Sequence, residues 1–158
     1  MDDQKPPRSI GDERATLVGL LQYQRDSFVR KLEGVEEAAA ATPSVPSGIT
    51  LLWLAQHMAD AEVLWVVHRF AGLADAGVEP LEPSRATIDR AIDRYHATWQ
   101  RVDAIVAAAD LDDVCVAIGD DGPPTDLRWV LAHLLEETAR HAGHADILRE
   151  LIDGQTGR

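Results

Sequence analysis

The sequence predicts an all-α protein with four helical segments, at least two of which have the pattern of bundle helices. Four segments repeat apolar residues at spacings of three and four, which is the period of a helix with one buried face. Proline, glycine and capping residues separate these segments. The 158 residues suffice for one domain with a substantial core. We therefore predict a helical domain over residues 12–154 between tails at 1–11 and 155–158.

Proline and glycine mark the ends of the first two predicted helices. The first covers about residues 12–41, and Pro43 and Pro46 close it. The second covers about residues 50–72 and ends at Gly72, which suits the left-handed position after a helix. Its predicted inward face consists of Leu51, Leu54, Met58, Ala61 and Trp65.

A connection at residues 73–85 precedes the third predicted helix. It carries one glycine and two prolines and could cross the length of a bundle, so neighbouring helices could run parallel. The third helix covers about residues 87–109. A short irregular or extended segment is predicted at Val114–Ile118, followed by a turn at residues 119–124.

The last predicted helix, residues 126–153, has the most regular pattern in the chain. Thr125 or Asp126 is expected to cap its start, and Gly154 its end. Its apolar face repeats at spacings of four and three, typical of a helix that faces a bundle interior. The face comprises Leu127, Leu131, Leu134, Thr138, His141, Ala145, Leu148 and Ile152.

Composition excludes several classes of function. The net charge of −12 disfavours contact with nucleic acid or an anionic membrane surface. No apolar run approaches the roughly 20 residues that cross a bilayer, and the polar start does not resemble a signal peptide. Cys115 is the only cysteine, which fits a reducing cytoplasm and leaves any metal to N and O ligands. It lies in a loop far from the polar motifs, so we assign it no catalytic role.

A polar stripe accompanies the apolar face of the last helix. Its members, at spacings of four, four and three, are His133, Glu137, His141 and His144. Glu137 and His141 lie one turn apart and can point at one ion, and His57 on the second helix could supply a third ligand. Two imidazoles and a carboxylate suit zinc with one open position, although iron, nickel or manganese also accept them.

Each of these residues also has a purely structural interpretation. A Glu and a His one turn apart form a common solvated pair, and a histidine in an apolar segment is more often hydrogen-bonded in a core. Asp60 and Glu62 are expected to be solvated charges, with Asp60 able to orient a ligand. His133 and His144 are further candidates for orienting ligands or moving a proton. Trp53 is expected to pack near the pocket.

Two stretches carry a resemblance to a known family. Residues 129–154 resemble the last helix of the DinB superfamily, in its mycothiol S-transferase-like branch, and residues 53–62 resemble the second helix that carries the family's first metal-binding histidine. The resemblance implies a DinB-like four-helix bundle in up-down-down-up order. Many members carry a histidine where Glu137 stands, and a His, Glu and His set is that of mycothiol-dependent maleylpyruvate isomerase. His144 replaces a common glutamine, which makes it available as a pocket residue.

The resemblance implies an enzyme that uses a divalent metal, with zinc favoured, and mycothiol or a related low-molecular-weight thiol. The metal-bound thiol would attack an electrophilic small molecule, as in detoxification. A zinc hydrolase that activates water is one alternative. A non-enzymatic metal-binding stress protein is another. Homodimers are common in the superfamily, so a homodimer is the expected assembly.

Overall fold

The computed structural model describes residues 5–117 and 122–156, and this part of the chain contains helices and no β-strand. The α-helices are α1 (Glu13–Leu32), α2 (Glu37–Ala41), α3 (Leu51–Glu62), α4 (Ile88–Ala107) and α5 (Leu127–Asp153). A π-helical segment, Val63–Phe70, continues α3 directly, and Pro83–Arg85 form one 3-10 turn. The all-α prediction is confirmed. In the described ranges no helix is both long and apolar enough to span a bilayer.

Side-chain caps fix where the long helices begin. At each start an oxygen of the capping side chain accepts a hydrogen bond from the backbone N–H three residues further on. Such a cap stabilises a helix by about 1 kcal/mol. The caps are Asp12, Thr50, Thr87 and Asp126. Gly154, in the left-handed conformation at φ 75°, ends α5 as predicted.

The prediction of one helix over residues 12–41 is wrong, because the chain breaks after Leu32. Gly34 adopts a left-handed conformation with φ 70°, which ends the helix at little steric cost. The Glu36 side chain then accepts a hydrogen bond from the backbone N–H of Ala39 and starts the short helix α2. The apolar period alone did not show this interruption.

The predicted inward face of the second helix holds from Leu51 to Met58. Leu51, Leu54 and Met58 are buried, whereas Ala61 and Trp65 are only partly buried. At Trp65 the π-helical segment accounts for the change, because its wider turn rotates the face that its residues present. The buried residues of that segment are Val63, Val66, Val67 and Phe70.

Helices α1 and α5 lie side by side and run in the same direction. At their starts Arg128 Nε donates to Glu13 Oε1 at 2.7 Å. Near their ends Arg149 Nη1 donates to the carbonyl oxygens of Lys31 and Glu33, at 3.0 and 2.7 Å. Since starts meet starts and ends meet ends, the two helices are parallel.

Helices α3 and α4 are also parallel to each other. Leu51 and Ile88, at their starts, lie in one buried apolar cluster. Phe70, at the end of the π-helical segment that continues α3, and Val106, near the end of α4, lie in a second. Helix α1 places its last residue, Leu32, in the first cluster. It therefore runs opposite to α3 and α4.

The segment before α5 is irregular, as predicted. Within its described residues a single antiparallel bridge joins Val114 and Asp126. Cys115 is buried beside this bridge, with its Sγ 3.3 Å from the hydroxyl oxygen of Thr125. Residues 118–121, which include part of the predicted turn, lie outside the described residues.

Glu62 is not a solvated charge, so that expectation is wrong. Its side chain is fully buried, and both carboxylate oxygens accept hydrogen bonds from the buried Arg25, at 2.8 and 2.5 Å. The hydroxyl of Tyr95 donates a third at 3.0 Å. Burial raises the pKa of Glu62, while the cation of Arg25 acts in the opposite direction. An ion pair between α1 and α3 thus lies in the protein interior.

Gly72 is expected to be intolerant of a side chain. Its φ is 66°, and an added Cβ would lie 2.6 Å from Cγ1 of Val116. We expect Gly72→Ala to lower the free energy of unfolding by about 1–3 kcal/mol, measured by urea denaturation. Gly143→Ala is the matched control, because that helical position has no atom within 4 Å of an added Cβ. It should raise stability by about 0.8–1 kcal/mol. Equal effects would refute this account.

Candidate metal and thiol site

His57 and His141 meet where α3 packs against α5. Their ring centroids are 4.8 Å apart and the rings are nearly perpendicular, at 82°. Both side chains are partly buried, and that of His141 is 12% exposed. The structure therefore brings together two of the three predicted metal ligands from distant parts of the chain.

Glu137 extends this pair along α5. Its Oε2 lies 3.3 Å from Nε2 of His141 and 3.5 Å from Nη1 of Arg140. The same oxygen is buried and accepts no hydrogen bond within the described residues. A buried carboxylate oxygen without a hydrogen bond costs free energy, which a metal ion would recover in addition to the ion pair with Arg140. The donor set of two imidazoles and this oxygen fits a divalent metal such as zinc.

The pairwise contacts do not form a complete coordination cluster. Among residues 5–117 and 122–156, no group of three or more His, Cys, Asp or Glu side chains is arranged to hold a metal ion. The ligand set His57, Glu137 and His141 therefore stays a prediction.

The environment of His141 favours its neutral form. Partial burial lowers the pKa of the ring, and the neighbouring His57 acts in the same direction. Glu137 opposes them. A metal binds the neutral imidazole, so burial keeps His141 in the form that ligation requires.

His144 touches the pair from the exposed side of α5. Its Nδ1 lies 3.2 Å from Nδ1 of His141, and the two rings are tilted by 59°. The side chain itself is exposed to solvent. This position suits a residue that exchanges a proton between solvent and a group bound at the site.

Trp53 packs against the ring of His57. The two rings are stacked, with centroids 4.8 Å apart and planes within 7°. The indole is 47% exposed, so one of its faces is open to solvent. The stacking restricts the orientation of the His57 ring.

His133 belongs to a separate aromatic cluster one turn before Glu137. It stacks on Trp129 at 5.0 Å and meets the edge of Trp65 at 4.6 Å. Burial lowers the pKa of His133 as well. Its ring contacts are with tryptophans in the described structure, so its predicted catalytic role remains a prediction.

Asp60 is directed to a different neighbour. Its carboxylate accepts a 2.6 Å hydrogen bond from Nη2 of Arg94 on α4 and is 65% exposed. The partner of Asp60 that we see is thus an arginine and not His57. Its predicted role in orienting a ligand is untested.

Comparison with known proteins supports the family resemblance. The family model described as mycothiol-S-transferase matches residues 16–154. No curated protein and no solved structure matches the chain. The matched region contains α2 to α5 and nearly all of α1. The chain belongs to the mycothiol-S-transferase family.

Proposed function

We propose that this protein is a zinc-dependent thiol transferase. We also propose that four helical units form a DinB-like bundle in up-down-down-up order: α1, α3 with its π-helical continuation, α4 and α5. The contacts of His141 with His57 on α3 and with Glu137 on its own helix carry the functional proposal. The family name supports mycothiol as the thiol. The substrates are then a low-molecular-weight thiol and an electrophilic small molecule.

The bound metal would lower the pKa of a thiol and keep it as the nucleophilic thiolate. His57 and His141 would hold the metal through ring nitrogens, and Glu137 through Oε2, which makes no hydrogen bond within the described residues. His144 would accept the thiol proton and pass it to solvent, because its ring touches His141 and is exposed. The thiolate sulfur would then form a bond to the electrophilic carbon, while the leaving group departs with the electron pair of the bond that breaks.

The proposal is tested by following free thiol in the presence of mycothiol and benzyl chloride. Protein loaded with one zinc per chain should consume thiol and release chloride, and chelation should abolish both reactions. Ester or amide hydrolysis without thiol would instead support the zinc hydrolase. Full zinc occupancy with neither activity would support a binding protein and overturn the proposal.

Trp53→Ala is expected to weaken zinc binding about tenfold. Removing the stacked indole frees the His57 ring, and loss of a group that orients a ligand costs about 10–100-fold in affinity. Trp129→Ala is a matched control, because that indole is 44% exposed and stacks on His133 in the same way. Competition with a chromogenic chelator measures both variants. An equal loss in the two variants would show that the effect is not specific to His57.

A further inference from the structure

A cavity of about 220 Å³ lies beside His144, on the side of the candidate site nearer the end of α5. One wall comes from the loop between α2 and α3, and the other comes from α5. The residues that line it are Val45, Ser47, Ile49, His144, Ile147 and Leu148.

The chemistry of the lining selects an apolar ligand. Four of the six side chains are aliphatic, and only Ser47 and His144 offer a polar atom. A polar group that enters such surroundings loses hydrogen bonds to water that aliphatic side chains cannot replace. The sugar part of a thiol cofactor is therefore a poor occupant. An apolar cavity of about 150 Å³ holds benzene, so a volume of about 220 Å³ suits one aromatic ring.

The loop wall of the cavity is held in a tight turn. The backbone N–H of Gly48 donates to the carbonyl oxygen of Val45 at 3.0 Å, and Pro46 restricts the backbone between them. Gly48 itself has φ 79°, a conformation that other residues rarely adopt. Since Val45 and Ser47 belong to this turn, the wall exists before a ligand binds.

His144 connects the cavity to the candidate metal site. Its ring lines the cavity, and its Nδ1 lies 3.2 Å from Nδ1 of His141. A molecule with its apolar body in the cavity would hold its other end beside these two histidines. That end is where a thiolate held at the site would react.

We infer that this cavity binds the apolar, aryl-sized part of the electrophile, and this inference rests on the proposed function. The electrophile class is then an aryl or benzyl compound whose reactive carbon lies next to the ring. Small polar electrophiles would gain nothing from the cavity.

Two tryptophan substitutions on α5 test the inference. Ile147 and Leu151 are both 57% exposed and lie one turn apart, but only Ile147 lines the cavity. Fluorine NMR of para-fluorobenzyl alcohol should show saturable binding to the wild type and to Leu151→Trp. Ile147→Trp should bind at least about tenfold more weakly, and Ser47→Phe, from the opposite wall, should do the same. Absence of binding to the wild type, or equal binding by all variants, would overturn the inference.

Turnover separates this inference from the proposed function. In Ile147→Trp the KM for benzyl chloride should rise at least about tenfold, whereas kcat/KM for chloroacetamide should stay within twofold of the wild type. Probe binding without thiol consumption by the wild type would overturn the proposed function and leave the cavity as an apolar ligand site. Thiol consumption that is the same in Ile147→Trp and Leu151→Trp would overturn this inference alone.

Discussion

Arg25→Ala is expected to lower the free energy of unfolding by about 3–5 kcal/mol, because it leaves the Glu62 carboxylate buried without its cation. Arg25 is 1% exposed and Glu62 is fully buried, so water cannot replace the lost hydrogen bonds. For a domain of this size the loss corresponds to a fall in Tm of roughly 6–20 °C. Urea and thermal denaturation followed by circular dichroism measure it.

Arg128→Ala is the control variant, because it removes several ion pairs that are exposed and not buried. Arg128 has three carboxylate partners but is 36% exposed, so its removal should have a much smaller effect on stability. The double variant Arg25→Met, Glu62→Met removes both charges and should recover most of the stability lost in Arg25→Ala. If Arg25→Ala behaved like Arg128→Ala, the buried pair would not be a major determinant of stability.

His57→Ala, Glu137→Ala and His141→Ala should each weaken zinc binding by at least about 100-fold. Groups that only orient a ligand already contribute 10–100-fold, so loss of a direct ligand costs at least the upper end of that range. Metal content by mass spectrometry and competition with a chelator give the two independent measurements. Activity toward thiol and electrophile should fall with zinc occupancy.

Two control variants replace a glutamate and a histidine that lie outside the candidate site. Glu136 is next to Glu137 in sequence, but it is exposed and pairs with Arg140. His96 on α4 packs its ring against Trp99. Glu136→Ala and His96→Ala should bind zinc as the wild type does. Zinc retained in all three ligand variants would refute the site.

Part of the candidate site could be predicted from the sequence because Glu137 and His141 lie on one regular helix. Their spacing places them on one face of α5 whatever the rest of the chain does. No local pattern shows that His57 lies opposite them, so the sequence offered His57 only as a residue that could supply a third ligand. The structure brings the rings of His57 and His141 into contact, and the three-residue ligand set stays a prediction.

The burial of Glu62 could not be predicted in the same way. Its partner Arg25 lies 37 residues earlier in the chain, and a charged residue near a helix end is usually solvated. The π-helical turn that begins next to it also changes which residues face inward. The spacing of apolar residues predicts neither the pairing of distant residues nor irregular helical geometry.

The parallel packing of α1 on α5 has a consequence for how the chain is made. Arg14 on α1 donates hydrogen bonds to the carbonyl oxygens of Val106 and Ala109, and Arg149 on α5 donates one to that of Lys31 on α1. The two residues of each pair are separated by 92 to 118 positions in the sequence. During synthesis α1 therefore emerges from the ribosome long before its main partner exists. Contacts of such long range slow folding, because a large loop must close before they form. Helix α5, which is translated after α1, completes the packing of α1.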